Sequence, residues 1–164
     1  MTAGNDKMAQ ISSIAYKPAQ LATGRPKAFA RTPIEQAALI AGHGIEGDVK
    51  GGSPKRQLNL MSLEMLEELA GEGFDTAPGQ MGEQIVIRGL AVDSLARGAR
   101  LQIGDALIEV VGAREPCERF EYAQDKPRQS VIGRVGVMAK VLAGGVIRVG
   151  DAVRLVETEP APGD

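Results

Sequence analysis

The feature that most constrains this chain is a series of short aliphatic runs, at 11–16, 38–40, 58–61, 84–87, 101–103, 106–111, 135–142 and 152–156, most of them bounded by Gly, Pro or Asp. Runs of this length, mostly rich in Val, Ile and Leu and closed by turn residues, read as β-strands. Glycine at 21 of 164 residues and an aromatic content of 3% add many tight turns and an aliphatic core. A mostly β fold follows, as a barrel or a folded-over sheet. The clearest helix is predicted at 62–70. Ser62 is an N-cap type, Glu64 lies in the first turn, Leu63, Leu66, Leu69 and Ala70 recur at helical spacing, and Gly71 stops the run. This helix is expected to cover the sheet.

A length of 164 residues with 43% hydrophobic content suits one domain, placed at 9–156 between polar or Pro/Gly-rich ends at 1–8 and 157–164 that are expected to be disordered. A net charge of -2 argues against nucleic acid as the main partner. No apolar run approaches the ~20 residues of a membrane span, and residues 1–10 lack the apolar stretch of a secretory signal, so a cytoplasmic protein without a membrane partner is expected. Two Gly-Asp dipeptides, at 104–105 and 150–151, lie in similar surroundings. They read as two independent hairpin turns rather than a duplication. Gly144-Gly145 reads as another hairpin tip.

One cysteine and one histidine exclude a disulfide framework and any zinc site built from paired cysteines. Cys117 follows an apolar strand, a Gly112 breaker and the segment Ala113-Arg114-Glu115-Pro116, a place where a side chain can be presented. Arg114 and Arg119 would favour its thiolate, and Glu115 and Glu118 would oppose it. The alternative is a small buried hydrophobe. The loop 41–56 is rich in glycine, including Gly51 and Gly52, and adds Lys50, Lys55 and Arg56, which can meet a phosphate. It lacks the spacing of a P-loop, and a solvated turn remains its alternative. His43, alone in that loop, is weaker still. The third candidate is 78–84, where Gly79 and Gly82 can turn amides toward a ligand and Glu83 can orient an arginine, unless the segment is simply a turn.

In this order, Gly44-Ile45-Glu46-Gly47-Asp48 with Gly51-Gly52 and Arg56-Gln57-Leu58, then Pro78-Gly79-Gln80-Met81-Gly82-Glu83-Gln84, the stretch 101–106, and Arg114-Glu115-Pro116-Cys117 resemble the MOSC domain, named for the C-terminal domain of molybdenum-cofactor sulfurases. The stretches 136–141 and 147–151 fit its short, stand-alone bacterial members, and the resemblance spans 9–156. Members often carry a histidine where this chain has Lys50. The resemblance implies a mostly β, MOSC-like β-barrel with one or a few short helices, and a reactive cysteine. In relatives that reduce N-hydroxylated compounds the equivalent cysteine ligates the molybdenum of a pterin cofactor, and in sulfurase-like members it is held to carry a persulfide; both roles use a thiolate.

The leading expectation is a molybdenum-cofactor (molybdopterin) protein that reduces a small N-oxygenated substrate, with Cys117 as catalytic residue and metal ligand. Lys50, Gly51, Gly52, Lys55, Arg56, Gly82, Glu83, Arg114 and Arg119 form the expected cofactor site. Without a cysteine set for an iron–sulfur cluster or a dinucleotide fingerprint, a separate reductase would supply electrons. The runner-up is a sulfur carrier, loaded by a sulfur donor, or a non-catalytic cofactor-binding module. A cysteine hydrolase pairing Cys117 with His43 lacks an evident orienting group beyond Glu46 or Asp48. Pyridoxal phosphate is not expected, because it belongs to a separate domain of larger sulfurases.

Overall fold

A computed structural model describes residues 8–18, 31–49, 51–54 and 56–156. In chain order the elements are β1 (Ala9–Tyr16), β2 (Thr32–Ile34), β3 (Gln36–Ile40), β4 (Gly44–Ile45), β5 (Leu58–Ser62), α1 (Leu63–Gly71), β6 (Ile85–Arg88), β7 (Arg100–Ile103), β8 (Ala106–Ala113), α2 (Glu118–Gln124), β9 (Val137–Ala143), β10 (Gly145–Arg148) and β11 (Ala152–Val156). Short 3-10 turns lie at Val92–Ser94 and Arg128–Val131.

Seven strands close into a barrel in the order β1, β11, β7, β8, β9, β5, β6 and back to β1, with β2 hung on β1 outside the ring. Every neighbouring pair in the ring is antiparallel except β5 and β6, which run parallel. A parallel pair needs a crossover, and α1 lies in it. Its start is set by Ser62, whose Oγ accepts the Met65 amide at 3.1 Å, and it buries Leu66 and Leu69. The helix therefore occupies 63–71, with the predicted first residue serving as its cap.

Alternation along the strands sends Ile11, Leu58, Leu60, Ile85, Ile87, Leu101, Ile103, Ile108, Val110, Val137 and Val141 into one aliphatic cluster inside the barrel. The small sheet of β10, β3 and β4 adds Ala37, Leu39, Ile45 and Ile147 to the same cluster. A second cluster of Met61, Leu66, Leu69, Phe74, Met81, Val86, Phe120, Val131 and Val135 lies between the outer wall and the helices.

Two local expectations are corrected. Gly144-Gly145 is no hairpin tip, because β10 pairs with β3 rather than β9. A Cβ on Gly144 would stand 2.6 Å from the Leu39 carbonyl oxygen and one on Gly145 2.5 Å from that of Asp105, so the pair lets the chain squeeze from barrel to small sheet. The Gly-Asp turns are also not independent hairpins. Gly104-Asp105 joins the paired strands β7 and β8, but Gly150-Asp151 joins strands that do not pair, and a Cβ on Gly104 would stand 2.5 Å from Asp151 Oδ2. The second short helix, α2, is within the one or a few that were expected; it carries no local start signal, since it follows Cys117, a cap position with no side-chain hydrogen bond. No helix among the described residues is long and apolar enough to cross a membrane. Apart from exposed Met8, the ends expected to be disordered lie outside the described residues.

Candidate functional site

The 78–84 segment folds around its own carboxylate. Glu83, buried, accepts the Gly79 amide on Oε2 at 2.8 Å and the Met81 amide on Oε1 at 3.1 Å. The Gly82 amide goes to the Gly79 carbonyl at 3.1 Å. The amides that could have met a ligand are thus engaged within the loop, which turns its carbonyls outward instead. Those carbonyls hold two buried arginines: Met81 O accepts Arg114 Nη2 at 2.8 Å, and Gly82 O accepts Arg31 Nε at 3.0 Å. Gly79 is obligatory here, because any Cβ at its φ of +85° would overlap the Arg31 carbonyl oxygen. Burial pushes the Glu83 carboxyl above its ordinary range, opposed by the Gly79 and Met81 amides and by the charge of Arg114.

Arg114 leaves the end of β8, where its amide bonds Gly136 O at 3.0 Å, and crosses the second cluster to reach Met81 and Val135. Burial pushes its pKa down to about 10, with Glu83 and Cys117 acting to raise it and Arg31 and Arg56 to lower it. The guanidinium stays charged at neutral pH, so a positive charge is held beneath the surface. Arg31 is buried as well, and its Nη1 meets Asp48 Oδ1 at 3.2 Å. Asp48 also accepts the Lys17 amide at 2.9 Å and Gln84 Nε2 at 2.9 Å. Gln84 Oε1 in turn accepts the Asn59 amide at 2.6 Å. Through these bonds the 41–56 and 78–84 segments meet at one side of the barrel.

Cys117 is exposed at the head of α2, which Phe120 pins against Phe74, their ring centroids 6.0 Å apart. Arg119 lies one residue into the helix and, after burial and Arg31, helps depress the Lys17 pKa. Charge coupling links Arg114 to Cys117, Arg31 and Arg56, and Lys17 to Arg31 and Arg119, so these cations form one connected group with Arg114 as its link to the thiol. Gly51 and Gly52 sit behind Asp48 in their own turn, with the Gly51 amide on Asp48 O at 3.0 Å and the His43 ring packed on Gly51 so closely that no Cβ fits. No hydrogen bond joins His43 to Cys117 among the described residues. Lys50 and Lys55 lie outside them. Lys17, Arg31, Asp48 and Gln84 escaped the sequence reading as site residues; the places of Asp48 in the Gly-Ile-Glu-Gly-Asp motif and of Gln84 at the end of the 78–84 motif were the hints to two of them.

Comparison with known proteins decides the family. A family model described as MOSC domain matches residues 47–154, well over half of the chain. The chain belongs to the MOSC domain family. It is 27% identical to the protein YiiM of Escherichia coli K12 over 146 residues, covering 81% of this chain but 65% of that relative, slightly under two thirds of its length. The fold matches that of YuaD from Bacillus subtilis, with a TM-score of 0.72 at 20% identity over 89% of this chain and 94% of the other. It also matches YiiM from Geobacillus stearothermophilus, with a TM-score of 0.70 at 24% identity over 91% of this chain and 75% of that one.

Membership of the MOSC family supports a molybdenum-cofactor-binding domain. The residues present fit such a group. An exposed thiol is a soft donor suited to molybdenum, and the connected cations suit a phosphate-bearing anion, while Asp48 and Glu83, the carboxylates among them, are already hydrogen-bonded to protein donors. No cluster of three or more His, Cys, Asp or Glu side chains is assembled among the described residues. A single protein sulfur suits a metal that arrives with most of its ligands on an organic carrier.

Proposed function

We propose that this chain binds the molybdenum cofactor beside the head of α2 and reduces N-hydroxylated or other N-oxygenated small molecules. The observation that carries the reading is the exposed thiol of Cys117 next to a buried, fixed positive charge on Arg114. When bound, the cofactor supplies a two-electron couple with which an N–O bond is broken, two protons and two electrons being taken up and the oxygen leaving as water. Cys117 would be its sulfur ligand, since thiolates are the protein ligands that soft metals prefer. Arg114 attracts that thiolate and cannot swing away, because Met81 O and Val135 O hold its guanidinium. Arg56 and Arg119, with Lys17 and Arg31, would face the cofactor's phosphate and pterin. Electrons would come from a separate reductase.

The test is elemental and pterin analysis of wild type and Cys117→Ala, both purified from a host that makes the cofactor. Equal amounts of molybdenum, pterin and protein are expected in the wild type, and loss of molybdenum in the variant. A wild type free of molybdenum and pterin but bearing cyanide-labile sulfur overturns the reading in favour of a Cys117 persulfide carrier.

A further inference from the structure

Asp48 follows β4 in a turn, its carboxylate wholly buried. From the described residues, Oδ1 takes the Lys17 amide and Arg31 Nη1, and Oδ2 takes Gln84 Nε2. The chain just beyond β1, the entry to β2 and the residue preceding β6 thereby meet at one side chain. Both oxygens face protein donors, so whatever Asp48 does for a ligand it does through its neighbours. Those neighbours are cations: Lys17 lies within electrostatic range of Arg31 and Arg119, and Arg31 within range of Arg114. Bringing like charges together is unfavourable, and Asp48 offsets that cost while leaving the group positive. Arg31 uses Nε on Gly82 O and Nη1 on Asp48, and its Nη2 has no partner among the described residues. Nη2 is not among the fully buried atoms that lack a partner, so it keeps a small exposure although the Arg31 side chain as a whole is buried. A buried ion pair is a poor way to gain stability over apolar side chains of the same size, which points to geometry as the reason for this one.

We propose that Asp48 is a positioning residue of this site: it assembles Arg31 and Lys17 into a preformed receptor for a phosphate-bearing anion before the ligand arrives. The inference rests on the proposed function for its place in catalysis, but its test does not need the cofactor. Preorganisation lowers the cost of binding, so loss of the organiser weakens affinity even in a folded protein.

The experiment is calorimetric titration of inorganic pyrophosphate into wild type, Asp48→Ala, Asp48→Asn and the core control Leu66→Ala, with thermal midpoints measured alongside. Asp48→Ala is expected to weaken binding by about tenfold or more. Asp48→Asn keeps an oxygen for the Lys17 amide but not the charge and should fall between. Leu66→Ala, buried under α1, should lower the midpoint and leave affinity unchanged. Unchanged affinity in Asp48→Ala, losses that track the midpoint equally in the control, failure of both Asp48 variants to fold, or a wild type that binds no pyrophosphate would each overturn the proposal. A wild type that binds pyrophosphate, loses it in the Asp48 variants and yet carries no molybdenum leaves this inference standing and removes the cofactor reading.

Discussion

The inside of the barrel and the layer beneath α1 and α2 are both buried, yet they are built from different materials. The interior is packed from Ile, Leu, Val and Ala. The outer layer combines two phenylalanines and two methionines with the buried charge of Arg114 and Glu83 and the amide of Gln124, which donates to Asp75 O at 2.9 Å and Gln80 O at 3.1 Å. Stiff aliphatic side chains on paired strands give a cylinder held by shape. The outer layer is held by specific hydrogen bonds, and from it come α2, Cys117 and the arginines. The cylinder supplies the scaffold, and the candidate site sits on the outer layer.

The sharpest break in that division is where the two regions touch. Gly136, just before β9, has a φ of +84°, and any Cβ there would overlap the Leu60 carbonyl oxygen. Gly136→Ala is expected to cost more than ~4 kcal/mol, enough to prevent folding. Gly133→Ala, with a φ of +80° but nothing near its added Cβ, should cost only the left-handed strain of about 1–2 kcal/mol. Equal losses in urea unfolding would show that β9 is not clamped onto β5.

Cavities made on the two sides should separate stability from site geometry. Leu101→Ala, inside the barrel, is expected to cost about 2–5 kcal/mol and leave the rate at which iodoacetamide alkylates Cys117 unchanged. Phe120→Ala, in the outer layer, should cost about 3–5 kcal/mol and change that rate, because the ring holds the helix that begins at the cysteine. A changed rate in Leu101→Ala alone would dissolve the distinction.

Smaller effects fall on α1. Ser62→Ala removes the cap and should cost about 1 kcal/mol in chemical denaturation. The smallest concerns Glu72, just past the helix and fully exposed, whose carboxyl is held below its ordinary 4.5 chiefly by the hydrogen bond from Arg134. A lowered folded pKa means that the stabilisation is present above the ordinary carboxylate range and is lost as pH falls through the lowered value. Glu72→Gln should therefore reduce the thermal midpoint slightly at pH 7 and not at all near pH 2, and a difference that persists in acid would reject the pair as its source.

Much of the barrel was readable because each strand carries its own signal. Alternation in β8 sends Ala106, Ile108 and Val110 inward, and this needs no partner to be seen. Ser62 announced α1 in the same local way. The two glycines at 144–145 misled for an instructive reason: glycine permits both a tight turn and a close approach of backbones, and only the position of β3 tells which one is used. At the site, Cys117, Arg56, Arg114 and Arg119 stood out through their motif. Arg31 did not, since an isolated arginine without a spacing pattern is ordinarily a solvated charge.

By itself, then, the sequence determined a mostly β chain with an aliphatic core, one capped helix, one presented cysteine and the family motifs around it, all properties written in residues a few positions apart. Tertiary structure alone decided that β10 leaves the barrel wall, that a helix begins at Cys117, and that the Gly79 and Met81 amides serve Glu83 instead of a ligand. It alone decided, too, that Arg31 and Lys17 meet Asp48. Those outcomes depend on groups separated by 17, 31 and 36 positions in the chain. A carboxylate selects its donors by distance and burial in three dimensions, and no local periodicity encodes which distant donors will arrive.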